Sequence, residues 1–174
     1  MALPTNFNVR PKQLRSLQKL VRGKQQMDLE KRVRVLENVY VGVLVDAVKR
    51  FSDEGILGKV REKKRSEQML FGNEKAKQFG IEKQEDVFSW VSEIFNCAVW
   101  EISQEPYGFS AETSACKLCA LAKRLSTESP CNLYCLDVME GMVKGLAPKG
   151  KFIVRETLWG GQKCKIDVIN HSVG

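Results

Sequence analysis

Apolar residues set the first reading of the chain. Leu14, Leu17 and Val21 recur at spacings of three and four before Gly23 interrupts, and Leu29, Val33, Leu36, Val39 or Tyr40, Leu44 and Val48 continue the period. That period puts the residues on one helix face, so the first 50 residues predict a short helix and then a long one. Ser52-Asp-Glu is a helix start, and Ile56, Val60, Met69, Phe71 and Phe79 predict one broken helix or two shorter ones ending near Gly80. Val87, Trp90, Val91, Ile94 and Phe95 predict a further helix over residues 84–95.

The period then falls to two. Ala98, Trp100 and Ile102 alternate with Val99, Glu101 and Ser103, and a Pro106-Tyr-Gly108 turn leads into a second short alternating stretch at 109–113, the pattern of a β-hairpin. A helix pair follows. Thr113 or Ser114 caps the first helix, which carries Leu118, Leu121, Ala122 and Leu125; Ser129-Pro130 opens the second, which runs to about Leu146. Residues 151–158 and 164–169 alternate again across Trp159-Gly160-Gly161 and predict a second hairpin. The order predicts one α+β domain over residues 1–174. A helical part at 1–95 precedes an α+β part at 96–170, in which helices pack on an antiparallel sheet. No repeat or low-complexity linker divides it.

A chain of 174 residues buries enough surface to fold without disulfide staples. No stretch approaches the roughly 20 uncharged apolar residues of a membrane span, and the N-terminus lacks the apolar core of a signal peptide. These features place the protein in the cytoplasm, where thiols stay reduced. Six cysteines there read as small core residues, as metal ligands or as reactive groups rather than as disulfides. The net charge of +7 comes from the N-terminal half: residues 1–80 hold 18 Lys/Arg against 9 Asp/Glu, and the remainder hold 10 against 12. The longest basic cluster, residues 59–65, follows a helical pattern without interleaved aromatics, which reads as a solvated helix face and argues against nucleic acid as a partner.

Cys116-x2-Cys119 and Cys131-x3-Cys135 have the spacing of zinc ligands, and thiolates suit that borderline-soft cation. Both pairs fall on predicted helices, and antiparallel packing through a turn near Thr127-Glu128 separates Cys116 from Cys131 by about 15 Å at 1.5 Å rise per residue. One ion does not reach all four. The same pairing sets Cys119 level with Cys135 and Asp137, leaving a smaller cluster of Cys116 or Cys119 with Cys135. Cys116 and Cys131 occupy first helical turns, where the dipole favours thiolate. Cys131 stands at the hairpin end, open to water and away from a second cysteine, so its expected role is incidental. His171, the single histidine, lies in the C-terminal tail, which argues against a Cys-His dyad. Asp137, Glu140 and Glu156 are the carboxylates near the cysteines.

Three segments carry a resemblance. They are Cys131-Asn-Leu-Tyr-Cys135-Leu-Asp137 with Gly141 and Gly145, Val154-Arg-Glu156-Thr157, and Gly161-Gln-Lys-Cys164. Residues 96–170 look like the C-terminal pattern of the 4-vinyl reductase domain family, though Leu158-Trp159 stands where that family carries a further cysteine. Nearly the whole chain resembles the L-2-amino-thiazoline-4-carboxylic acid hydrolase-like family, at Cys116, at Cys135 with Asp137, and at Cys164. The resemblances imply a TRAPP-like ligand-binding fold with a small-molecule pocket between helices and sheet. They imply a cysteine-rich site at which Cys116, Cys135, Asp137 and Cys164 meet, with Cys97 a core residue of the first hairpin.

Three functions fit this reading. The leading one is a small-molecule-binding protein that hydrolyses a C=N or amide-like bond of a small cyclic sulfur- or nitrogen-containing substrate, with Cys135, Asp137 and Cys116 catalytic. The second is a non-catalytic sensor or carrier that binds an apolar ligand or a metal, zinc above all, through Cys116, Cys119, Cys135 and Cys164. The third is a partner-binding subunit. The long N-terminal helix has more apolar positions than a small sheet covers, which predicts a homodimer.

Overall fold

The computed structural model describes residues 28–170, in two compact units, one ending at Leu36 and the other beginning at Glu37. The predicted short helix at 14–21 and His171 lie outside the described residues. In the first unit, helix α1 (Leu29–Asp53) begins, with Leu29, Val33 and Leu36 exposed. In the second, α1 buries Val41, Val45 and Val48 and leaves Val39 and Val43 in solvent. The buried stripe is therefore offset by one residue at its start from the predicted Tyr40, Leu44, Val48, a rotation of about 100°.

Helices α2 (Leu57–Gln78) and α3 (Gln84–Phe95) follow, then strands β1 (Glu101–Glu105) and β2 (Gly108–Thr113). After β2 come helix α4 (Lys117–Arg124), a five-residue π-helix (Asn132–Leu136), helix α5 (Asp137–Leu146), and strands β3 (Lys151–Glu156) and β4 (Cys164–Ile169). The four strands form one antiparallel sheet in the order β1-β2-β4-β3, with helices packed against it, as the sequence predicts for an α+β chain. The first hairpin turns through Pro106-Tyr107, with Glu105 opposite Gly108. Gly108 has φ 152°, and a Cβ there would sit 3.0 Å from the Val168 carbonyl carbon, so the turn needs glycine.

Helix α2 is unbroken where its apolar pattern predicts a break. Its buried positions are Leu57, Gln68, Gly72 and Ala76, and Gly72 is small because α5 crosses there at backbone contact. A Cβ on Gly72 would lie 3.0 Å from Gly141 Cα, and one on Gly145 would lie 2.8 Å from Asn73 Cα. Glycines hold this crossing, so hydrophobic periodicity is blind to it. The helix ends as expected at Gly80 (φ 67°), where the Ile81 N–H bonds the Ala76 carbonyl.

Helix α5 packs against α2, α3 and β3. Phe88 of α3 occupies the middle of the core, edge-on to Trp100 and Phe109 at centroid distances of 5.4 and 5.6 Å. Met139, Met142 and Val143 of α5 are fully buried in the same cluster. No helix among the described residues is long and apolar enough to cross a membrane.

Candidate functional site: a cysteine-lined cavity

The sheet delivers two cysteines to one place. Thr113 ends β2 opposite Cys164, the first residue of β4, so the chain leaving β2 meets that thiol. The Thr113 hydroxyl donates to the Ala115 carbonyl at 3.1 Å and tightens the corner, while the Lys117 N–H donates to the Cys97 carbonyl at 2.7 Å and fixes the start of α4. The cap is not Thr113 or Ser114, because this corner delays the helix until Cys116. Cys116 itself is the N-cap, extended at φ −146° and ψ 115°, and its Sγ accepts the Cys119 N–H at 3.5 Å. Sulfur here takes the place that Ser, Thr, Asp or Asn usually fills.

Cys119 faces inward from the first turn of α4, with its Sγ 3.4 Å from Cys131 Sγ. That contact overturns the expectation of a water-exposed, isolated Cys131: both thiols are buried. Helix α4 has only eight residues, and the connection at 125–130 doubles back through Ser126 (φ 51°), so Cys131 comes to the start of α4 instead of its end. Ser129 accepts the Cys131 N–H at 3.3 Å, the predicted start of the second helix.

That second helix opens with a π-turn, closed by the Asp137 N–H on the Asn132 carbonyl. Such turns are rare and recur at functional sites because they re-aim side chains. Here the turn carries Cys135, which with Cys116, Cys119, Cys131 and Cys164 lines a cavity of about 20 Å³, the space of about one water. A neighbouring apolar cavity of about 30 Å³ shares Cys116, Leu118 and Cys135 with it and adds Cys97. Trp100, 8% exposed, also lines the first cavity, and its indole N–H has no partner among the described residues.

Electrostatics divides the thiols. The Cys119 thiol close by, joined by the Cys119 and Leu118 amides, draws the Cys116 thiol down to about 6, against the opposing effect of burial. The contact with Cys119, joined by Ser129, likewise draws Cys131 down to about 7. Cys119, caught between two neighbours favoured as thiolates, is pushed strongly up and keeps its proton. Burial pushes Cys97 up to about 11 and raises Cys135 and Cys164 as well; the Leu158 N–H on Cys164 Sγ, at 3.2 Å, opposes the last. The ready nucleophiles are thus Cys116, which is half-buried, and Cys131.

The carboxylates lie elsewhere. Asp137 Oδ1 accepts from Arg65 at 2.6 Å and from Asn132 at 3.3 Å, and Arg65 also bridges to Glu140 at 2.8 Å. Glu140 bonds Lys144 at 2.6 Å, and the Glu156 carboxylate accepts the Gln162 N–H at 2.7 Å in the β3–β4 turn. None of the three is among the residues lining the cysteine cavity. Asp137 and Glu140, themselves buried, instead pair between α2 and α5 with the half-exposed Arg65. Arg65→Met should leave Asp137 with Asn132 alone and lower stability by roughly 1–3 kcal/mol, read as a drop in melting temperature, whereas Arg34→Met on the exposed surface should not.

Among the described residues, no group of three or more His, Cys, Asp or Glu is arranged to hold a metal ion. The four thiols expected to hold zinc, Cys116, Cys119, Cys135 and Cys164, all line the one cavity. Cys119 turns its sulfur to Cys131, and the Cys116 sulfur caps a helix. No family model matches the chain, and no curated protein and no solved structure matches it.

Proposed function

We propose that the chain binds a small molecule at the cysteine-lined cavity and that Cys116 is its principal contact. The observation that carries this is the convergence of five of the six cysteines on one cavity, with the half-buried Cys116 sulfur at a helix N-terminus. A thiolate there suits a ligand with an electrophilic C=N or C=O carbon, and the Trp100 N–H suits an acceptor atom on the same ligand. In its closed form the cavity admits one water-sized molecule. A five-membered ring needs the wall of Cys116, Leu118 and Cys135 that separates the two cavities to give way, and Cys135 sits on the π-turn, the least regular part of that wall.

Hydrolysis is the second reading, favoured by the lowered Cys116 thiol and by the resemblance to the thiazoline hydrolase-like family. Thiolate attack on the C=N carbon followed by water would release the thiol. The cavity lining supplies no carboxylate base, so Thr113, Thr157 or a bound water would have to relay the proton. The TRAPP-like architecture belongs with this proposal, supported by the order of helices, hairpin, helices and hairpin.

Both readings are tested by titrating 2-aminothiazoline-4-carboxylate into the purified full chain, with calorimetry for binding and mass spectrometry for ring opening. Binding that is lost in Cys116→Ser supports the site, and ring opening adds hydrolysis. Binding that survives in Cys116→Ser, or its absence for this and other small cyclic imines, contradicts the proposal. Metal analysis of the same preparation settles the zinc alternative.

A homodimer through α1 is also proposed, on the exposed Val39 and Val43 in the second unit and Leu29, Val33 and Leu36 in the first. Light scattering at micromolar concentration should give twice 19.7 kDa. A species of 19.7 kDa alone would reject it.

A further inference from the structure

We infer that Cys119 and Cys131 form a dithiol/disulfide couple, oxidised by a hydroperoxide, that governs the state of Cys116. Their sulfurs are 3.4 Å apart, so a bond of about 2.05 Å needs a closure of about 1.4 Å. Cys131 directly follows the irregular connection at 125–130, which lies outside helix and strand and can yield by that amount. The two thiols are buried against each other, which selects this pair among the six cysteines.

Chemically, the Cys131 thiolate, favoured over its ordinary state, attacks the terminal peroxide oxygen. The O–O bond breaks, the second oxygen leaves as alkoxide or hydroxide and takes up a proton, and Cys131 becomes a sulfenic acid. Cys119 then attacks that sulfur, the S–S bond forms, the S–O bond breaks and water leaves. The two thiols lose two electrons, which reduce one hydroperoxide to one alcohol, or water, and one water. Closing the bond also draws Cys119 toward Cys131 and disturbs the contact by which the Cys119 N–H bonds the Cys116 sulfur at 3.5 Å, so the Cys116 thiolate loses support. The couple therefore tunes the proposed ligand contact. The disulfide itself does not depend on that reading; only its consequence for binding rests on it.

The test treats the reduced full chain with hydrogen peroxide, then maps disulfides by peptide mass spectrometry and follows Cys116 alkylation at pH 6.5. One Cys119–Cys131 disulfide, reversed by dithiothreitol, together with a tenfold or greater slowing of Cys116 alkylation, is the expected result. Cys97→Ser should form the same disulfide, and Cys131→Ala and Cys131→Ser should form none. A different pairing, or oxidation of Cys131 to sulfinic acid without a disulfide, overturns the couple. A Cys119–Cys131 disulfide that leaves Cys116 alkylation unchanged overturns the coupling. Loss of ligand binding in the reduced wild type would instead tell against the binding proposal alone.

Discussion

Gly141→Ala should cost this protein a large part of its stability, about 3 kcal/mol or more. The new Cβ would lie 2.8 Å from the Gln68 carbonyl carbon, and backbone on α2 cannot turn aside as a side chain would. The helices must separate along the crossing that Gly72 and Gly145 share, loosening the Arg65–Asp137 pair and the fully buried Met139, Met142 and Val143. Against a typical stability of about 5–15 kcal/mol, such a loss lowers the melting temperature by roughly 6–12 °C. Gly42→Ala is the control, because nothing lies within 4 Å of a Cβ there. In the middle of α1 it should be neutral or stabilise by up to about 1 kcal/mol. Thermal denaturation of the two variants should therefore give shifts of opposite sign, and equal shifts would refute the close crossing.

The second large effect concerns a thiol that keeps its proton in the reduced protein. Cys119→Ala removes the thiol that is the main influence lowering Cys116 and Cys131. With it gone, burial is the chief opposing influence left, and both thiols should rise toward the ordinary cysteine range near 8.5. The thiolate fraction of Cys116 at pH 6 should then fall on the order of a hundredfold, and its alkylation with it, although the reacting sulfur is untouched. The sign with pH follows: wild-type reactivity should climb through about 6 and level off by neutrality, whereas the variant should go on climbing into the alkaline range. Cys119→Ala leaves only a small void beside Cys131, and unchanged far-ultraviolet circular dichroism would separate this effect from misfolding. A variant profile overlying the wild type would contradict the role given to Cys119.

Much of this was legible along the chain, and the failures share a cause. The hairpins were readable because alternation in 98–103 and in β4 reports directly on one buried sheet face. Gly80 and Ser129-Pro130 were readable because caps are local chemistry. The unbroken α2 was not, since a glycine crossing carries no apolar signal. Cys131 was misplaced because the helix-pair geometry assumed a tight turn, and nothing in residues 125–130 announced that the chain doubles back. A shorter α4 followed by a π-turn changes which thiols face each other without altering a single spacing. Asp137, two residues from Cys135, looked like its proton acceptor, yet its carboxylate goes to Arg65. Cys164 pairs with Thr113, three residues before Cys116, and both line the cavity together with Cys135, the three thiols that the resemblance singled out.

The most direct test of the cysteine-lined site is cysteine-resolved alkylation of the native protein by iodoacetamide as a function of pH. The midpoint reports each thiol's protonation, whereas the absolute rate also falls when the reagent cannot reach the sulfur. Cys116 should react first with a midpoint near 6, Cys97 should respond only toward about 11, and Cys135 and Cys164 should stay unlabelled until the protein unfolds. A common midpoint between 8 and 9 for all six cysteines, or labelling of Cys135 ahead of Cys116, would contradict the account.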